Sequence, residues 1–113
     1  MKIGIDLGGS HIAIGVIDKD YKIVEKIEKR IMKKDKERIE NTIEQYIIDN
    51  IKDLTTKYDI TEIGIAVPGT IQNEIIVKSV NLGVQNYDLL KKIKNEINLP
   101  IKIRNDAKCA AIA

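Results

Sequence analysis

The sequence predicts an α/β domain built on a mixed sheet. Three observations carry that expectation. Apolar residues alternate through Ile3, Ile5 and Leu7 and again through Ile12, Ile14 and Val16 on either side of Gly8-Gly9, the period of a strand, a tight turn and a strand. From Lys36 to Tyr58 they recur instead at Ile39, Ile43, Ile47, Ile51, Leu54 and Tyr58, one stripe of a long helix. Beyond that helix, Ile63-Ile65-Val67 and Ile101-Ile103 alternate once more, and strands that follow helices join a sheet through parallel crossovers.

The elements follow in order. After the hairpin, "YKIVEKIEKRI" alternates through Tyr21, Ile23, Glu25, Ile27, Lys29 and Ile31 and predicts a third strand with one apolar face. Asp35 is placed to cap the long helix. "EIGIAVPGT" reads as a strand whose second face carries Gly64 and Ala66, small enough for something to approach closely, and it ends in a Pro68-Gly69 turn. "EIIV" at 74–77 is a candidate short strand, "YDLLKKIKNEIN" a second helix through Leu89, Leu90, Ile93 and Ile97, and "LPIKIR" a further strand. Asn105 or Asp106 caps a last helix, still running in alanines and Ile112 at Ala113, so residues 1–113 are expected to be a piece of a larger protein, cut inside that helix. The order β-β-β-α-β-α-β-α gives three antiparallel strands extended by parallel ones into a five-stranded sheet flanked by helices.

Composition narrows the function. With 113 residues there is room for one modest core. Nineteen basic against 17 acidic residues, four Tyr and no Phe or Trp offer neither a basic footprint nor stacking platforms for nucleic acid, and no nucleic-acid partner is expected. No apolar run reaches the length of a membrane span, so no membrane partner is expected either. Cys109 is the single cysteine, which fits a reducing compartment and a cytoplasmic location. It stands fifth from the end, one place off a prenylation box, and reads as a small buried residue among alanines.

"GIDLGGSH" at 4–11 places a carboxylate two residues before a glycine pair and a hydroxyl just after it. Glycines beside a strand end let backbone N–H groups approach an anion. The P-loop pattern fails, because Gly4 and Gly9 have its spacing but Ser10 and His11 follow where Lys and Ser or Thr are needed. The dinucleotide pattern fails too, and both require a helix where this chain has a strand. Taken alone, the stretch is a glycine hairpin that contains an Asp, "IGIAVPGTI" is a strand with a turn, and "RNDAKCAAIA" is a capped helix.

Together and in order, these three stretches, at 3–18, 63–71 and 104–113, resemble the N-terminal domain of the ROK family, bacterial sugar kinases and sugar-responsive repressors of the actin-like ATPase superfamily. The resemblance covers essentially the whole chain. It implies a ribonuclease H-like, actin-like ATPase fold and, for the parent protein, ATP-dependent phosphorylation of a hexose, as in glucokinases. The family's Asp-x-Gly-Gly-Thr turn looks like Asp6, Leu7, Gly8, Gly9 and Ser10, which would face the ATP phosphates, with Asp6 near Mg2+ through water. His11 stands where relatives often have Lys or Asn. Gly69 and Thr70 would lie against the sugar, with Asn81 nearby. The family's Asn-Asp-Ala-Asn segment appears as Asn105, Asp106, Ala107 and Lys108, in which Asn105 would bind a sugar hydroxyl and Asp106 would act as catalytic base.

Lys108 in place of the second Asn, and a "TIQNE" stretch without the usual Asp, bear on sugar identity more than on reaction class. The resemblance further implies a second, C-terminal domain, absent here, with an ExGH-type sugar-binding stretch, the adenosine pocket and in many members a structural zinc. The isolated chain is therefore expected to be inactive and the parent to be a homodimer. The alternative is the effector domain of a ROK repressor, without chemistry; such repressors carry a helix-turn-helix ahead of this domain, and here Met1-Lys2 lead straight into the first strand. Other actin-like branches share the Asp-Gly-Gly hairpin, but Asn105-Asp106-Ala107 beside a Pro-Gly strand argues against them.

Overall fold

The computed structural model describes residues 1–8, 11–30, 43–73, 75–79 and 84–105. Its elements are β1 (Lys2–Leu7), β2 (His11–Ile17), β3 (Ile23–Arg30), α1 (Ile43–Lys57), β4 (Glu62–Val67), β5 (Thr70–Gln72), β6 (Ile75–Ser79), β7 (Val84–Tyr87), α2 (Leu89–Lys94) and β8 (Ile101–Asn105). The five-stranded sheet runs β3-β2-β1-β4-β8, antiparallel across β3, β2 and β1 and parallel across β1, β4 and β8. This is the mixed sheet the alternation predicts.

Its core face is set by period two. Ile3, Ile5 and Leu7 line up with Ile12, Ile14 and Val16 on one side and with Ile63 and Ile65 on the other, and all are buried. Ile43, Ile47, Ile48, Ile51 and Leu54 of α1 and Leu89, Leu90 and Ile93 of α2 complete the same core. Asp88 caps α2, its carboxylate accepting from the Lys91 N–H at 3.0 Å. The opposite face carries Gly4, Gly15 and Gly64 in one transverse row and Ala13, Asp6 and Ala66 in the next. A Cβ placed on Gly64 would meet nothing within 4 Å, so among the described residues this face is open.

Three expectations change in detail. The third strand has no continuous apolar face, because a bulge between Val16 and Ile17 pairs Ile17 with Ile23 but Val16 with Glu25. Ile23, 62% exposed, therefore turns to the open face, while Tyr21 sits in the preceding turn at φ 61°. The core-side positions of β3 are satisfied individually: Glu25 accepts from the Tyr58 hydroxyl at 3.1 Å, Ile27 stands opposite Ile14, and the Lys29 ammonium lies 4.7 Å from the Tyr46 ring centre.

The second helix is short. Tyr87 ends a strand, and Ile97 is buried beyond the last helical turn. Where one short strand was expected at 74–77, β5, β6 and β7 form a separate antiparallel sheet. Ile76 and Tyr87 anchor it in the main core, and the Tyr87 hydroxyl donates to Glu44 in the first turn of α1, with Lys92 3.8 Å from the same carboxylate. The helix start near Asp35 and the last helix beyond Asn105 lie outside the described residues.

The asymmetry between faces gives a stability prediction. Ile47→Ala, at a fully buried site, should cost about 2–5 kcal/mol in urea denaturation. Ile23→Ala should cost less than about 0.5 kcal/mol.

Candidate functional site

Strands β1, β4 and β8 are parallel, so their carboxyl ends share one rim, the edge where open α/β sheets take ligands. One level of that rim is Asp6 beside Ala66 beside Arg104, and the next pairs Val67 with Asn105. Because Ile5, Ile65 and Ile103 point into the core, Asp6, Ala66 and Arg104 all project onto the open face. A hollow of about 470 Å³ lies over that face, floored by Gly4, Gly15 and Gly64 and bordered by Asp6, Lys102 and Arg104.

At the hairpin, the Gly8 N–H donates to the His11 carbonyl at 2.9 Å, and a Cβ on Gly8 would stand 3.4 Å from that oxygen. Gly8 thus closes the turn with its own amide, at a φ that is not positive, instead of presenting that amide to an anion as sequence reasoning expects. Gly9 and Ser10 lie outside the described residues.

The Pro-Gly turn leaves the same rim. Pro68 is buried, Gly69 adopts φ 119°, a conformation L side chains rarely take, and Thr70 is exposed at the start of β5. The Asn105 side-chain amide donates to the Gly69 carbonyl, tying the end of β8 to this turn. The structure therefore brings Asp6, Gly8, Gly69, Thr70 and Asn105 to one end of the sheet, the carboxyl end of β1, β4 and β8. Asn81, Asp106, Lys108 and Cys109 lie outside the described residues.

Charge around the hollow is uneven. Lys26 and Glu28 pair at 2.8 Å; the hydrogen bond, then the opposite charge, holds the Lys26 ammonium above its usual pKa and the Glu28 carboxyl below its own. Lys2 and Glu62 do the same at 2.8 Å at the other end of the sheet. Their side chains are 44–56% exposed, so these pairs add little stability. Arg104 has no carboxylate within ion-pair distance among the described residues, and its Nη1 donates to the Ile103 carbonyl at 2.7 Å. Sequence reasoning missed Arg104 as a site residue, with Lys102 two positions further from the rim. The "IKIR" alternation puts both opposite the core, but only the register of β8 aligns Arg104 with Asp6. No group of three His, Cys, Asp or Glu able to hold a metal occurs among the described residues. Asp6 stands between Ala13 and Ala66 with no second carboxylate adjacent to it among the described residues, a setting that suits a hydrated divalent ion better than a dehydrated structural one.

The ROK family model matches residues 2–113. The chain belongs to the ROK family. A glucokinase of Halalkalibacterium halodurans is 29% identical over 97% of this chain and 34% of its own length. A xylose repressor of Caldicellulosiruptor bescii is 32% identical over 97% of the chain and 29% of its own length. The crystal structure of a ROK glucokinase from Streptomyces griseus, in complex with glucose and AMPPNP, superposes with a TM-score of 0.80 at 24% identity, covering 97% of this chain and 34% of that one. The fold is accordingly that of this ROK glucokinase, and the chain spans about a third of the length of these ROK relatives. Both kinases and repressors stand among them. No helix among the described residues is long and apolar enough to cross a membrane.

The two glycines on the β4 side of this ROK domain should respond oppositely to a methyl group. Gly69→Ala forces an L residue to φ 119° and should cost about 1–3 kcal/mol in chemical denaturation. Gly64→Ala, on open space in a strand, should be neutral within about 0.5 kcal/mol or slightly stabilising.

Proposed function

We propose that this chain is the N-terminal half-site of an ATP-dependent sugar kinase that works on a hexose in the cytoplasm, with the second domain supplying the adenosine pocket and the remaining sugar contacts. The observation that carries the reading is the shared rim: the Asp6 hairpin and the end of β8 are separated only by β4, whose Pro-Gly turn is fastened to Asn105.

In this reading the γ-phosphoryl group passes from ATP to a sugar hydroxyl oxygen, the bond to the ADP oxygen breaks, and the hydroxyl proton goes to the Asp106 carboxylate. Asn105, Asn81, Thr70 and Gly69 hold the sugar. Asn105 fixes the turn through its amide, so the sugar side is set before substrate arrives. On the phosphate side, Gly9 and Ser10 supply the anion contacts. Gly8 contributes by closing the hairpin without a side chain. Asp6 would hold Mg2+ through water, and that ion, when bound, neutralises phosphate charge. A single domain cannot exclude water from both sides of the transfer, so the isolated chain would be inactive.

A second reading, the effector domain of a sugar-responsive repressor, is favoured by the 32% identity to a xylose repressor. It needs sugar binding and no base. In the intact protein, Asp106→Asn should lower sugar-dependent turnover by about 100- to 10,000-fold while sugar affinity, read by calorimetry, changes far less. Equal turnover in the variant would remove the base assignment. Sugar binding with no ATP binding would leave the repressor reading, and the absence of sugar binding would end both.

A further inference from the structure

The hairpin that faces phosphate in the proposed reading brings no lysine or arginine of its own: the place a P-loop gives to lysine is held by Ser10. A triphosphate beside Asp6 would meet like charge, since Asp6 and Glu28 lie in one transverse row, two strands apart on either side of Ala13. A magnesium ion offsets part of that charge. The remainder must come from the rim.

We propose that Arg104 supplies it, as a phosphoryl-binding residue whose guanidinium reaches over Ala66 to the nucleotide phosphates held at Asp6. Four observations support this, and it rests on the kinase reading above. Arg104 occupies the same transverse row and the same face as Asp6, two strands away, which at the usual strand spacing puts their backbones about 10 Å apart. Among the described residues no ion pair joins the two side chains, and the space over Ala66 between them can take a phosphate with its ion. The residue between them is Ala66, whose methyl leaves the notch open into the hollow. Arg104 is not neutralised by any carboxylate among the described residues, and its contact with the Ile103 carbonyl uses one of five N–H donors. Lys102 lies two residues further from the rim beside Gly64, and Lys26 is paired with Glu28, so neither competes for the position. A guanidinium fork also matches phosphate oxygens in pairs, which an ammonium does not.

The test is calorimetry on the intact protein with Mg·ATP, with adenosine as phosphate-free control, and with the sugar, comparing wild type, Arg104→Met, Arg104→Lys and Lys102→Met. Arg104 is exposed, so the folded state should survive each change. The proposal expects Mg·ATP to bind about three- to tenfold more weakly to Arg104→Met, with adenosine and sugar affinities unmoved, partial recovery in Arg104→Lys and little change in Lys102→Met. Wild-type ATP affinity in Arg104→Met would overturn it while leaving the hairpin assignment standing. Equal losses for adenosine and ATP would also overturn it, by showing a structural role. A wild-type protein that binds sugar but no ATP would remove the kinase reading and this proposal with it.

Discussion

The register of the three parallel strands is the constraint on which the remaining architecture rests. Ile5, Ile65 and Ile103 stand abreast on the core face, and Asp6, Ala66 and Arg104 stand abreast one residue later on the other. A slip of one residue in β4 or β8 would carry isoleucines to the open face and glycine, alanine or charge into the core. Burial of the isoleucine face therefore fixes which side chains reach the rim. The site is a by-product of core packing, and its residues need no hydrophobic stabilisation of their own.

The same constraint explains why one face can stay open. Both crossovers move in one direction across the sheet, from β3 past β1 to β4 and from β4 to β8, and right-handed connections of that kind place α1 and α2 on one side. The other side keeps a floor of glycine and alanine with charge at its borders. Two polar ties then hold the small sheet against this frame: Asn105 on the Gly69 carbonyl and Tyr87 on the Glu44 carboxylate. Each links residues more than thirty positions apart in the chain, so the turn beside the rim is positioned by the fold and not by its local sequence alone.

Much of this is legible in the sequence because period-two isoleucines are unambiguous. The strands around Ile3, Ile12, Ile63 and Ile101, the open face of Gly64 and Ala66, and the Pro-Gly turn all follow from alternation and glycine placement. The third strand is misjudged because a bulge moves Ile23 to the other face, and no residue in "YKIVEK" announces it. Of the small sheet only β6 is anticipated, at "EIIV"; β5 and β7 escape because they are three and four residues long and held by ties to Asn105 and Glu44 that only the folded chain creates. At the site, Asp6 and Asn105 can be named from motifs. Arg104 cannot, because its relation to Asp6 is a matter of register between strands almost a hundred residues apart. The hairpin amide at Gly8 is taken by His11 for the same reason: hydrogen-bond direction is not written in a motif.

The central claim is that nucleotide phosphates lie at the carboxyl end of β1, on the rim shared with β8. Replacing Mg2+ by paramagnetic Mn2+ in an ATP complex of the intact protein, and following backbone amide signals, reads that geometry directly. The account predicts strong broadening at Leu7, Gly8, Val67 and Asn105, with Asp59, Ile60 and Thr61 at the far end of the sheet left sharp. Broadening centred on Asp59–Thr61, with the rim spared, would contradict it.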